Sequence, residues 1–123
     1  MPKTRVIIYQ EEPGKAPLLE WLDSLPAKVR YKCIALIELL TEKGNELRRP
    51  YCDLLEQGIF ELRARRGNVH YRILYAFVSQ NAVLLSHGCT KEQRVSKTEI
   101  DRAVRNRDSY IRNPEAHTYS GEL

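Results

Sequence analysis

The sequence predicts an α+β domain in which an N-terminal strand and a two-helix hairpin pack on a small antiparallel sheet, with a helix at the C-terminus. Three observations predict it. Hydrophobic residues recur at helical spacing over residues 18–40, alternate with polar residues over residues 59–89, and recur at helical spacing again after residue 96. The 123 residues suit a single domain, with an expected ordered core at about residues 5–112 and a tail at residues 113–123.

The N-terminal elements follow from β-branched residues, prolines and a glycine. Residues 5–9 have the β-branched and aromatic content of a strand. Pro17 suits the first turn of a helix that runs to about Leu25, because the missing N–H of proline costs nothing there. A second helix is expected near residues 26–43, and Gly44 is expected to cap its C-terminus. The apolar face of this second helix carries Val29, Cys33, Leu36, Ile37 and Leu40.

Residues 59–89 are expected to form three antiparallel strands. They follow a connector, residues 45–58, that has no clean period. Turns are expected at Gly67-Asn68 and at residues 79–81. The last strand, residues 82–89, is the most apolar and is therefore expected to be central.

Four arginines in this sheet need an explanation, because like charges repel unless an anion compensates them. In the first strand, Glu61, Arg63 and Arg65 alternate with apolar residues and therefore share one face. The aromatic residues of the next strand fit the core, which places Arg72 on that same open face. The fourth arginine is Arg66. The residues expected to face the helices are Phe60, Leu62, Ala64, Tyr71, Ile73, Tyr75 and Phe77.

The C-terminal part is expected to be a loop, a helix and a frayed tail. The loop covers residues 89–95. Ser96 and Glu99 match a capping box, in which Ser96 is the N-cap and the Glu99 side chain reaches back. The helix should end near Arg112, since Pro114 cannot continue it. Its expected apolar stripe is Ile100, Ala103, Val104 and Ile111.

The charge of the chain is unevenly distributed. The formal net charge is only +4, yet residues 1–58 hold nine basic and nine acidic residues, whereas residues 59–112 hold eleven basic and five acidic residues. This asymmetry favours a polyanionic partner, with nucleic acid as the first candidate. A solvated basic surface without any partner explains the charge equally well. No apolar run approaches the roughly 18 residues that cross a membrane, and no signal peptide is recognisable, so we expect a cytoplasmic protein.

The three cysteines, Cys33, Cys52 and Cys89, are odd in number and widely spaced. They form neither a C-x-x-C pair nor a Cys/His ligand spacing. We therefore expect reduced thiols and neither a zinc site nor any other cofactor.

The order of these elements, together with several short motifs, resembles the RelE/HigB toxin superfamily, and in particular its phage-derived HigB-like branch. The resemblance covers about residues 5–112. The motifs that carry it are Phe60-Glu-Leu-Arg63, Tyr71-Arg72-Ile-Leu-Tyr75, Leu85-Ser-His-Gly88 leading to Lys91, and Glu99-Ile-Asp-Arg-Ala103 with Arg107-Asp108 beyond.

The resemblance implies a RelE-like fold and the toxin of a toxin–antitoxin pair. Such a toxin is an mRNA interferase, a ribosome-dependent endonuclease that cuts the message in the ribosomal A site and so inhibits translation. Its implied partners are the mRNA, the ribosome and a helix-turn-helix antitoxin that forms a hetero-oligomer with it. By position, the basic residues of the family's sheet and adjoining loop correspond here to Arg63, Arg72 and Lys91.

Cleavage of RNA without a metal needs a base for the 2′-OH, cations for the phosphate oxygens and an acid for the leaving oxygen. Guanidinium groups suit the second task, which we assign to Arg63 and Arg72. Arg65, with Arg66, is expected to hold a neighbouring phosphate. Arg63 could instead pair with Glu61 or with a carboxylate of the last helix.

The acid and the base are harder to assign. His87 has an imidazole at the end of the sheet, next to the loop, although its alternation with apolar residues also fits a core histidine. Lys91 could be a phosphate clamp, an acid or a solvated lysine. Gln93 and Arg94 could contact the message. His70, near a hairpin turn, is expected to be exposed.

Two departures from the family pattern concern the chemistry. Several RelE-type proteins have a lysine in the first of these strands and a tyrosine in the last helix, where this chain has Glu61 or Arg63 and Ile100. The acid and base can therefore differ here. Two other functions fit the same scaffold: a non-catalytic nucleic-acid-binding module or co-repressor, and a protein-interaction module whose basic face binds an acidic peptide.

Overall fold

The computed structural model describes residues 3–91 and 94–121, with Lys91 described for its backbone alone. In this part of the chain, five strands form one sheet in the order β1-β5-β4-β3-β2. β1 runs parallel to β5, and the other neighbouring strands are antiparallel. The elements are β1 (Arg5–Ile8), α1 (Pro17–Asp23), α2 (Ala27–Lys43), β2 (Cys52–Leu54), β3 (Phe60–Arg66), β4 (Val69–Ser79), β5 (Ala82–Lys91), α3 (Lys97–Arg112) and α4 (Pro114–His117).

One face of the sheet packs on α1 and α2, as the alternation of β3 and β4 predicts. Leu62, Ile73 and Tyr75 are buried against the apolar face of α2. The rings of Phe60 and Tyr75 stack with their centroids 5.3 Å apart. Burial of these aromatic and aliphatic side chains is the main stabilising contribution of this layer.

Trp21 joins α1 to β5 through an unusually close approach. Its indole lies directly on the backbone of Gly88, where an added Cβ would overlap the ring. The indole Nε1 donates a hydrogen bond to Thr90 Oγ1 at 3.1 Å. Only a glycine leaves room for the ring at this position, so Gly88 has a packing role in addition to its place in the family motif.

The second face of the sheet is not open, which corrects the prediction from the alternation. α3 crosses it and buries Leu74, Ala76 and Cys89 against Ile100 and Ala103. The cause is the apolar content of this face in the middle of β4, which needs a cover. The open, charged part is therefore restricted to the end of the sheet near the β3–β4 turn.

α3 differs from its predictions in two ways: in what the Glu99 side chain contacts, and in which residues of the helix pack on the sheet. Ser96 Oγ accepts a hydrogen bond from the Glu99 N–H, as predicted, but the Glu99 carboxylate contacts His87 instead of reaching back. Tyr110 is buried against β1 and β5, whereas Ile111 is 57% exposed. The position of the stripe is thus set by the Tyr110 side chain, which reaches the neighbouring strands.

Two further elements were not predicted. β2 lies within the expected connector and pairs with Phe60–Leu62. The tail is ordered through Tyr119, whose N–H donates to Ile8 O at 2.9 Å, while His117 stacks on Tyr9. The tail thereby satisfies backbone groups of β1, which is an edge strand.

The order of the strands refines the expectation that the most apolar strand is central. β4 is the middle strand, and β5 is interior between β1 and β4. β5 also continues to Lys91, two residues beyond its expected end at Cys89. The three cysteines are free thiols in the interior, and burial raises the pKa of the Cys33 thiol to about 11.

Candidate functional site

A polar cleft of about 540 Å³ opens between β2 and the start of α3. We call it the α3 cleft. Its floor is formed by Glu61, Arg63 and Arg72 of β3 and β4. One wall is formed by the segment from Asp53 to Glu56. The opposite wall is formed by Arg94, Val95, Lys97 and Ile100.

The floor holds a buried ion pair. Arg63 and Arg72 lie directly opposite each other in the β3–β4 ladder, so their charges would repel. Glu61 compensates them: its Oε2 lies 3.0 Å from Arg72 Nε, and its Oε1 lies 3.9 Å from Arg63 Nη1. Glu61 therefore neutralises much of the positive charge of Arg63 and Arg72, for which the sequence suggested an external anion.

Burial raises the pKa of the Glu61 carboxyl, while the nearby Arg72 and Arg63 oppose that rise. The Arg72 side chain is 7% exposed and the Arg63 side chain 32% exposed. Arg72 is consequently a partner of Glu61 on the floor rather than a cation at the surface. Arg63 both pairs with Glu61, as its alternative interpretation predicted, and presents part of its guanidinium to the cleft.

The walls of the cleft carry additional charges. Arg94 is exposed. Lys97 Nζ lies 3.3 Å from Glu56 Oε1, which joins the two walls at the surface. The lining thus holds four basic side chains and three carboxylates, those of Asp53, Glu56 and Glu61. A ligand in the cleft could contact Arg63, Arg94 and Lys97 without displacing the buried pair of Arg72 and Glu61.

The end of the sheet beyond the cleft is basic. Arg65 pairs with His70 in the β3–β4 ladder, and His70 pairs with Lys91 in the β4–β5 ladder. Because side chains alternate along a strand, Arg65 and His70 share a face with Arg63 and Arg72. We call these four residues the basic face. Arg66 is exposed beside the turn.

His70 is half-buried on the basic face rather than fully exposed as predicted. Desolvation lowers the pKa of its imidazole, and the positive charges of Arg72, Arg65 and Arg63 lower it further. The imidazole is therefore neutral near pH 7 and can accept a proton. The sequence contained the signal, since His70 precedes Arg72 by two residues and must share its face.

His87 occupies the core, in agreement with the alternative interpretation of this residue. It is fully buried, its Nδ1 lies 2.7 Å from Ser86 Oγ, and its Nε2 lies 3.2 Å from Glu99 Oε1. Asn106 Nδ2 donates to the same Ser86 hydroxyl at 2.9 Å. This order of serine, histidine and carboxylate is also found in hydrolases, but Ser86 is buried and cannot meet a substrate. The network instead joins α3 to β5.

The remaining predicted site residues are placed as follows. Arg63, Arg72 and Arg94 meet in the α3 cleft, and Arg65 lies on the neighbouring part of the basic face. Lys91 ends β5 opposite His70, and Gln93 lies outside the described residues. Glu61 and Lys97 line the cleft, and His70 lies on the adjoining basic face, although none of the three was assigned to the site. In the described part of the chain, no group of His, Cys, Asp and Glu residues could hold a metal ion, and no helix is long and apolar enough to span a membrane.

Comparison with known protein families identifies the chain. Residues 20–108 match the model of the family Phage derived protein Gp49-like (DUF891). The chain belongs to this family. The Gp49-like proteins are RelE/toxin-like proteins. The matched residues include the second half of α1, all of α2, β2 to β5 and most of α3, and hence the whole α3 cleft. No curated protein matches the chain.

Proposed function

We propose that this protein is the toxin of a toxin–antitoxin pair, a ribosome-dependent mRNA endonuclease of the HigB-like branch of the RelE superfamily. The observation that carries the proposal is the α3 cleft: in a member of a toxin-like family, it collects Arg63, Arg72, Arg94 and Lys97, and His70 lies on the adjoining basic face. The proposed partners are mRNA in the ribosomal A site and a helix-turn-helix antitoxin.

The proposed reaction is attack of a ribose 2′-OH on the adjacent phosphate without a metal ion. Negative charge grows on the non-bridging oxygens in the transition state. Arg63 and Arg94 can donate hydrogen bonds to these oxygens from the cleft, because their guanidinium groups are at least partly exposed. Arg72 adds its charge from the floor, where Glu61 holds it in place.

His70 is the base that the geometry supports best, in place of His87. It lies two residues before Arg72, on the same face of β4, and its imidazole is neutral near pH 7. Glu61 is a less suitable base because two guanidinium groups already engage its carboxylate. Lys97, whose pKa is raised by hydrogen bonding to Glu56, stays protonated and can stabilise or protonate the leaving 5′-oxygen; Lys91 is the other candidate for this step.

The test is in vitro translation of a defined message with its 5′ ends mapped. The wild-type protein should cut only the message that ribosomes are translating. Arg63→Ala and Arg94→Ala should each lower the cutting rate by about 10²-fold. Arg30→Ala, on the outer part of α2, is the matched control and should cut like the wild type. The proposal is refuted if the wild type makes no ribosome-dependent cut, or if cutting survives both cleft substitutions.

A non-catalytic RNA-binding module is the second candidate function. It is favoured by the compensation of Arg72 by Glu61, which leaves exposed arginines such as Arg65 and Arg66 to bind phosphates without chemistry. For such a module, RNA affinity should fall steeply with salt while the RNA remains intact. Intact RNA after prolonged incubation with translating ribosomes would favour this candidate over the endonuclease.

A further inference from the structure

The outer edge of β3 is only partly covered. β2 pairs with Phe60–Leu62, and the Arg63 N–H donates to Tyr51 O at 2.9 Å. Beyond this point, within the described residues, no strand lies against the outer side of residues 64–66. At this edge, Lys32 Nζ donates a hydrogen bond to Arg65 O at 3.3 Å. An uncovered strand edge is a template for another extended chain.

A groove of about 320 Å³ runs beside this edge, between β3 and α2. We call it the α2 groove. Ala35, Leu36 and Leu39 of α2 form its apolar wall together with Ala64. Lys32, Arg63 and Arg65 form its rim, and no carboxylate lines it. Tyr51, which is exposed and directly precedes β2, also lines the groove.

We propose that the α2 groove binds an extended segment of a partner protein in which apolar and acidic residues alternate. The segment would add a strand to residues 64–66 of β3, in line with β2. Since side chains alternate along a strand, its apolar residues would meet Leu36 and Leu39 while its carboxylates meet Arg63 and Arg65. This partner rests on the proposed function, because it would act as the inhibitor of the toxin.

The consequence for the activity follows from Arg63, which lines both the α2 groove and the α3 cleft. A carboxylate that binds its guanidinium from the groove side would neutralise it for the phosphate in the cleft. Partner and message would therefore compete, although the partner need not enter the cleft or displace α3.

The lining argues against two other occupants. RNA would find cations on the rim, but Leu36 and Leu39 offer nothing to a ribose-phosphate chain. A second copy of the chain would bring the same cationic rim against itself, which is unfavourable. An acidic and apolar strand satisfies both parts of the groove.

Selection of displayed random dodecapeptides on the immobilised full-length protein tests the proposal. The selected peptides should alternate apolar and acidic residues. Their affinity should fall by about tenfold or more in Lys32→Glu and in Leu36→Asp. Ile111→Asp, which changes an exposed apolar residue on α3, is the matched control and should bind them like the wild type.

Lys32→Glu keeps the test valid if Leu36→Asp fails to fold, because Lys32 is exposed. A selected peptide should also stop message cleavage by the wild type but not by Lys32→Glu. Recovery of no peptide, of peptides without acidic residues, or of peptides whose affinity survives Lys32→Glu would overturn the proposal. Peptide binding is measured without ribosomes, so a wild type that binds these peptides but cuts no message would refute the proposed function alone.

Discussion

Acidification should destabilise this protein through His87. The pKa of this imidazole is lowered from 6.5 to about 4: burial is the largest cause and the positive charge of Arg102 adds to it, while the charge and hydrogen bond of Glu99 oppose the shift. The folded state therefore favours the neutral form more than the unfolded state does. Its contribution is fully present above pH 6.5 and is lost as the pH falls toward 4, because the unfolded chain then binds a proton that the folded chain rejects.

The magnitude follows from the size of the shift. A pKa difference of about 2.5 corresponds to about 3 kcal/mol of unfolding free energy lost by about pH 4. At about pH 5 the loss should be about 2 kcal/mol. Such a loss is a large fraction of the stability of a domain of this size.

Urea unfolding followed by the fluorescence of Trp21, at several pH values between about 7.5 and 4.5, measures this loss. His87→Gln is the matched variant, because it keeps a hydrogen-bonding side chain and removes the titration. It should be less stable at neutral pH but should lose less free energy on acidification. All other groups are the same in both proteins, so the difference between the two slopes isolates His87. Equal slopes would refute the reasoning.

Three further substitutions test the site and the packing. Glu61→Gln should lower the unfolding free energy by about 3 kcal/mol, measured in urea, because it removes the carboxylate that compensates Arg72 inside the protein. His70→Gln should slow message cleavage by about 10²-fold and abolish the acidic limb of its pH–rate profile. Gly88→Ala should cost about 1–3 kcal/mol and change the fluorescence spectrum of Trp21, since the added methyl group displaces the indole.

Matched variants separate these effects from general damage. Glu38→Gln, on an exposed part of α2, should leave the stability unchanged, and equal losses in Glu38→Gln and Glu61→Gln would contradict a special role of the buried pair. Arg65→Gln should move the acidic limb of cleavage to higher pH, because Arg65 helps to lower the pKa of His70. An acidic limb that persists unchanged in His70→Gln would exclude this imidazole as the base.

Much of the fold could be predicted because local signals act on local structure. Pro17 starts α1, Gly44 ends α2 and Ser96 caps α3, each through the geometry of its own backbone or side chain. The alternation in β3 and β4 predicted which residues pack on the helices. It also predicted that Arg63 and Arg72 share a face, and they lie opposite each other in the ladder.

The sequence by itself therefore determined most of the elements, though not β2 and α4, together with the helix-facing core and the set of basic residues. Only the tertiary structure decided what lies over the second face. A period of two assigns a side chain to a face but not to solvent, and whether an arginine there is a surface cation depends on what packs above it. α3 crosses this face, so Arg72 is held by Glu61 on the floor of a cleft, His87 lies in the core, and Arg94 and Lys97 join from a distant part of the chain.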